Sequence, residues 1–424
     1  MTRPLAIVSI ILLTIALTCL PASTLRAEGD EGLSFSGDLR WRYEADGKDF
    51  NGDTDMRTFN TVRPRLGIKY ESFGVTSFLQ IQYPHKLDRD AAILSDYGAP
   101  SVHQAYLKIS RLIRPELAMK VGRMELKYGD ERLIGPVGWS HIGRAFDGFL
   151  FALENDRGTI DFFVTQLVDR SYMPTGNPPD DRFYGLWAAC KKTKLNIFFL
   201  DRVTSSRNQN NDWQIAESRM TMGLHYKNQY PSNIGTLLDF AYQMGTMKDF
   251  TTFPTQKTDI AAWMLVFKLW YQFPTVLKPS LGLGVDMVTG DDPKSADKNE
   301  AFDNLYYTGH KWRGIMDLFV ESNSEGLRDI FVKAAVNPMP GFGATLAIHN
   351  FATSEKYASF KDGSEVTALG NEIDLDLEMM IRPNLSCCMW LGYFIPSEDW
   401  KGSDADDAMW IYAQMQMTFE AGLK

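Results

Sequence analysis

From Leu33 onward, apolar and polar residues alternate in short runs. Leu33, Phe35, Gly37, Leu39, Trp41 and Tyr43 share one parity, and Ser34, Ser36, Asp38, Arg40, Arg42 and Glu44 share the other. A period of two means strands with one apolar and one polar face. The beat returns at 62–70, 75–83, 103–110, 195–199, 238–244, 263–269, 281–287 and 411–419. A soluble antiparallel sheet alternates in the same way, so the connections have to discriminate. Short ones (71–74, 111–116, 155–158, 191–194, 229–233, 272–279, 337–341, 382–384) alternate with long ones (45–57, 84–101, 125–145, 169–182, 204–217, 246–257, 290–327, 352–370, 395–407). A transmembrane barrel sorts its connections this way, with short periplasmic turns and long outer loops. The pattern predicts an all-β fold, a transmembrane antiparallel β-barrel of about 18 strands. Every backbone N–H and C=O must be paired in lipid, so the sheet must close, apolar outside and polar toward a wet lumen. Trp41, Tyr43, Tyr70, Tyr83, Tyr242 and Tyr393 fall near strand ends, where aromatic girdles belong.

Composition narrows the class further. The 424 residues carry 44 Lys and Arg against 53 Asp and Glu, a formal net charge of -9. That balance opposes a nucleic-acid partner. A mean hydropathy of -0.23 is too polar for a helical membrane protein. Cys19, Cys190, Cys387 and Cys388 show no disulfide or metal spacing. Arg3, an apolar core over 5–20, Pro21 and small residues up to Ala27 predict a secretory signal peptide over 1–27, ahead of one barrel domain over 28–424. Outer-membrane lipid is then the surrounding partner.

Three blocks carry motifs of their own, and the first of them breaks the beat. The first, over 121–148, contains GR-x-E-L-x-YGDERL-x-G, then W-S and GR-x-FDG. The second, over 290–319, contains GDDP, F-D-N-L-Y and TGHKW-x-G-x-x-D-L-F. The third, over 370–396, contains G-N-E-I-D-L-D-L, P-N-L and GY-F-x-P. In this order they resemble the alginate export family of outer-membrane barrels, over most of the mature chain. The resemblance implies passive export of an alginate-like polyuronate through an arginine-rich constriction, with periplasmic export partners and without a cofactor. It carries Arg123 and Arg144, inside the two GR motifs, over as constriction residues. The last strand ends near Phe419, which resembles the outer-membrane assembly signal, although Glu420–Lys424 run past it.

The residues themselves supply a second line. Strand parity puts Arg40, Arg42, Arg63, Arg65, Lys69, Lys108 and Lys120 on the inner face. The loop over 122–148 adds Arg123, Arg132 and Arg144, together with the acids Glu125, Asp130, Glu131 and Asp147. Guanidinium groups bind carboxylates through two parallel hydrogen bonds, and rings of Arg and Lys select anions. Glu372, Asp374, Asp376 and Glu378 form an opposing acidic stripe, which leaves open a salt-bridge lattice that stiffens the wall. His310 counts among the candidate pore-lining groups. An enzymatic reading would join His141, Asp147 and a loop serine, or place a metal on His310 and Asp317. No G-x-S-x-G, H-E-x-x-H or CxxC supports it, and no enzyme is expected. Gly290-Asp291-Asp292 reads as a turn or a calcium site. A diffusion porin for small solutes is the alternative function.

Overall fold

The computed structural model describes residues 31–87, 99–168, 180–207, 213–250, 255–295, 297–321 and 324–423. The expected signal peptide, with Cys19, lies outside them. Eighteen long strands are found among the described residues. The first nine are β1 (Gly32–Gly47), β2 (Arg57–Ser72), β3 (Val75–Gln82), β4 (Ser101–Ile109), β5 (Leu117–Met124), β6 (Phe146–Asn155), β7 (Gly158–Val168), β8 (Asp180–Cys190) and β9 (Leu195–Arg207). They are followed by β10 (Trp213–Gln229), β11 (Ile234–Asp249), β12 (Gln256–Gln272), β13 (Ser280–Val288), β14 (Leu327–Met339), β15 (Phe342–Ala358), β16 (Glu365–Arg382), β17 (Leu385–Pro396) and β18 (Ala408–Leu423). Each pairs antiparallel with the next, and β18 returns to β1 in register from Leu33↔Leu423 to Gly47↔Met409. The sheet is therefore a closed barrel with no free edge, which lets it sit in lipid without unpaired backbone groups.

Side-chain parity follows the beat of the sequence. Leu66, Leu283 and Val332 turn outward and are 61%, 54% and 51% exposed, while Arg40, Arg63 and Asp329 turn inward and are buried. Short turns such as 73–74 and 340–341 gather at one end, and the long segments 125–145 and 289–326 leave from the other.

The inner face departs from the expected polar lining. Phe163, Phe183, Trp187, Phe198, Leu200, Leu237, Met264 and Val266 on β7–β12 point inward and are buried. They join Leu126, Tyr128, Leu133, Ile134, Phe302 and Tyr306, which the two long segments carry into the barrel. Apolar loop residues brought inside have to leave water, and an apolar patch of wall is where they do so. The loop-end half of the lumen thus holds a packed core along this wall.

Candidate functional site

The two inward segments form one body. Gly135 N–H donates to the Tyr306 carbonyl at 2.8 Å, Tyr306 N–H to the Leu133 carbonyl at 2.9 Å, and Thr308 N–H to the Glu131 carbonyl at 3.0 Å. The Glu131 carboxylate accepts from Thr308 Oγ1 at 2.6 Å, Lys311 Nζ at 2.9 Å and Lys127 Nζ at 3.0 Å. Burial raises its carboxyl pKa, but those three donors outweigh the burial and hold it below the usual value. This plug narrows the lumen.

Arginines of β1 and β2 grip the plug by its tip. Arg40 and Arg63 are register partners. Arg40 donates to the carbonyls of Gly138 at 2.8 Å and Ser140 at 2.7 Å, and Arg63 donates to the same two oxygens at 3.3 and 3.1 Å. Arg42 donates to the Trp139 carbonyl at 2.5 Å and lies 3.9 Å over its indole ring. On the other face of that ring His310 stacks at 3.6 Å, held by Asp317 at 2.8 Å. Arg65 is shared between Gln82 at 3.1 Å and Glu125 at 3.9 Å, and Glu125 also meets His103 at 2.7 Å. Burial, with Arg42, Arg40 and Arg63 nearby, pushes the His141 imidazole down to about 3. It is neutral at working pH. Four guanidinium groups on two adjacent strands face three carboxylates, with Glu44 3.3 Å from Arg42, Asp38 3.4 Å from Arg63 and Glu125 beside Arg65, which leaves this wall net positive.

A second stretch of wall, β13–β16, carries buried acids and also anchors the plug. Asp286 takes Arg132 at 2.8 Å and Arg313 at 3.7 Å, and both arginines reach Asn304 at 3.0 Å. Glu372 accepts from Met316 N–H at 2.9 Å, and Asp374 accepts from Ile315 N–H at 3.2 Å. His349 bridges Asp329 at 2.9 Å and Asp374 at 3.6 Å. Glu372 and Asp374 of the acidic stripe therefore belong to the plug's mounting.

The structure brings Arg40, Arg42, Arg63, Arg65, Glu125 and His310 to the tip of the plug at β1 and β2, and Arg132 to Asp286 on β13. Arg144 sits inside the plug, donating to the carbonyls of Tyr307 at 3.1 Å and Gly135 at 3.4 Å, and burial lowers its pKa. Lys120 rests 4.5 Å over Tyr106, and Asp130 pairs with Lys227 at 2.7 Å. Lys69 pairs with Glu71 at 2.9 Å near the turn end of β2.

Arg123 is placed elsewhere than expected. It shares the outward parity of Val121, is 44% exposed along its side chain and pairs with Asp147 at 2.7 Å outside the wall. Asp147 is thereby on the opposite side of the sheet from His141, so those residues do not assemble into a triad. The segment after Gly290 is tied as a turn, with Lys294 N–H and Glu300 N–H donating to Asp292 and Asp291 at 2.9 and 2.8 Å. Arg313, His103, Lys268 and Lys333 were not singled out from the sequence. Strand parity would have placed Lys268 and Lys333 inward; it puts His103 on the outer face with Leu107, and a register shift opposite Gln80 and Ile81 turns it inward, while Arg313 carries no periodic signal.

A family model described as alginate export matches residues 31–396. No curated protein is significantly similar. Among solved structures, the chain resembles OccAB4 of Acinetobacter baumannii, with a TM-score of 0.62 at 12% identity over 93% of this chain and 99% of that one. It also resembles OccK5 (OpdH) of Pseudomonas aeruginosa, with a TM-score of 0.59 at 14% identity over 92% and 98% of the two chains. The outer membrane protein opdK of the same organism gives 0.56 at 13% identity over 92% and 99%. At such identities the likeness is one of fold, that of outer-membrane barrels.

Proposed function

The chain belongs to the alginate export family, and from that premise we propose that it is a passive outer-membrane channel for an anionic polysaccharide of the polyuronate type. The observation that carries this reading is the four-arginine wall of β1 and β2. Arg40, Arg42, Arg63 and Arg65 all face inward, and each is at most 7% exposed. Arg40 is held by backbone carbonyls alone, which neutralise nothing, while Arg42, Arg63 and Arg65 also lie 3.3, 3.4 and 3.9 Å from Glu44, Asp38 and Glu125, so four cations against three carboxylates leave the patch net positive. A polyanion entering the narrowed lumen meets a positive field in a space of low dielectric, where it is least screened. No energy source is required; the gradient of polymer supplies direction. Periplasmic partners would hand the polymer to the turn end.

Planar-bilayer recordings of the mature protein test the reading. Anions are expected to permeate better than cations, and Arg40→Gln with Arg63→Gln should bring the permeability ratio toward one. A wild-type channel with no anion preference would overturn it. The packed core beside the plug favours a second reading, a porin for small solutes. That reading predicts liposome swelling as fast in neutral sugars as in uronates.

A further inference from the structure

Every arginine of the two walls is committed to the protein's own oxygens. Two lysines are not. Lys268 and Lys333 point inward from β12 and β14 and line one cleft between the wall and the plug segment over 310–315. Lys268 Nζ lies 4.0 Å from the centre of the Trp312 ring and 5.4 Å from that of Phe331. Neither amine has an ion pair or hydrogen bond among the described residues. Gly282 and Gly284 of β13 make the room: Gly284 stands in register between Lys268 and Phe331, and Gly282 is the register partner of Lys333. A Cβ at Gly284 would come within 2.4 Å of the Phe331 ring. The acids of the cleft differ in how far they are engaged. Asp286, Asp329 and Asp374 are held by Arg132, His349 and Ile315 N–H. Asp286 Oδ2 and Asp374 Oδ1 accept no hydrogen bond, but each of those carboxylates is held through its other oxygen, whereas Asp376 has no donor among the described residues.

The cleft thus offers two unengaged ammonium groups, one carboxylate that no donor holds and aromatic edges. A small inorganic anion needs only the first. A neutral sugar needs only the carboxylate, which accepts from hydroxyls. A molecule bearing a carboxylate and adjacent hydroxyls uses both. We propose that this cleft is a sugar-acid subsite in which Lys333 and Lys268 take the carboxylate and Asp376 accepts from a ring hydroxyl. The site rests on the polyuronate reading and names where the polymer touches the channel. The arginine wall supplies the field, and the lysine cleft makes the contact.

Block of the open-channel current by glucuronate tests this on the full mature chain in bilayers, with glucose and propionate as controls. Glucuronate should block at concentrations where glucose does not. Lys333→Gln should raise the half-blocking concentration roughly tenfold, the cost of one charge-assisted hydrogen bond, while Lys333→Arg keeps it low. Asp376→Asn should weaken block by glucuronate and leave propionate unaffected. Lys268→Met, which keeps the packing on Trp312, should act like Lys333→Gln. An anion-preferring channel whose glucuronate block survives Lys333→Gln and Lys268→Met overturns the subsite alone. So does one that glucuronate never blocks. A wild-type channel with no anion preference overturns the parent reading, and the subsite with it.

Discussion

Lys120 and Arg123 are three residues apart and end on opposite sides of the wall. The parity that turns Val121 outward turns Arg123 outward with it, at the loop end of β5, and the Gly122 backbone does not reset the count. Arg123→Gln should therefore leave anion preference unchanged and cost at most about 1 kcal/mol, as an exposed ion pair does; bilayer selectivity and heat-induced unfolding measure the two. His141 makes a pH prediction. Its imidazole is neutral in the folded channel down to about pH 3, whereas an unfolded histidine takes up a proton near 6.5. Unfolding is thus favoured as pH falls below 6.5, by up to about 1.4 kcal/mol per unit until pH 3. His141→Gln should flatten that part of the profile of unfolding midpoint against pH. The inward arginines of β1 and β2 were legible because those two strands pair without a register shift, so period two holds along their length. The error at Arg123 came from reading a motif as a loop when its first residues still belong to the strand.

At the scale of elements, the plug is where sequence reading stopped short. The alternation of short and long connections located 125–145 and 290–327 within a few residues. It could not show that they fold inward and bond to each other, because that depends on contacts between segments more than 150 residues apart. The inward aromatics Phe163, Phe183 and Trp187 were the available sign, since an apolar residue on the wet side of a barrel needs a cover. Glu131 is the knot between the two segments. Glu131→Ala strips partners from Thr308, Lys311 and Lys127, and should give larger, noisier single-channel currents as the plug loosens. Unchanged conductance would mean that backbone bonds alone hold it. Where β5 leaves the wall, Gly122 has φ +121°, and a Cβ there would stand 2.2 Å from the Ala105 carbonyl oxygen. Gly122→Ala should cost on the order of 1–3 kcal/mol in backbone strain before the clash is counted, seen as a lower yield of heat-modifiable folded barrel.

At the scale of the whole molecule, the apolar belt and the closed ring were fully readable, because lipid imposes them on every strand alike. Leu283, 54% exposed in mid-strand on β13, tests the belt: Leu283→Arg should destabilise the barrel by roughly 2–4 kcal/mol near the bilayer midplane. Of the eighteen seams between strands, seventeen join neighbours in sequence and one joins residue 33 to residue 423. That last joint has the same antiparallel bonding as the others, so geometrically the cylinder has no first stave. Kinetically it does. Bringing two ends together across some twenty to thirty times the length of an ordinary hairpin costs only about 2–3 kcal/mol more in chain entropy. Yet until it zips, both terminal staves bare a full row of unsatisfied amides. The vulnerable moment in this protein's life is therefore the interval before zipping, and a chaperone or insertion machine that shields those two rims would matter more to its biogenesis than one acting anywhere else on the cylinder.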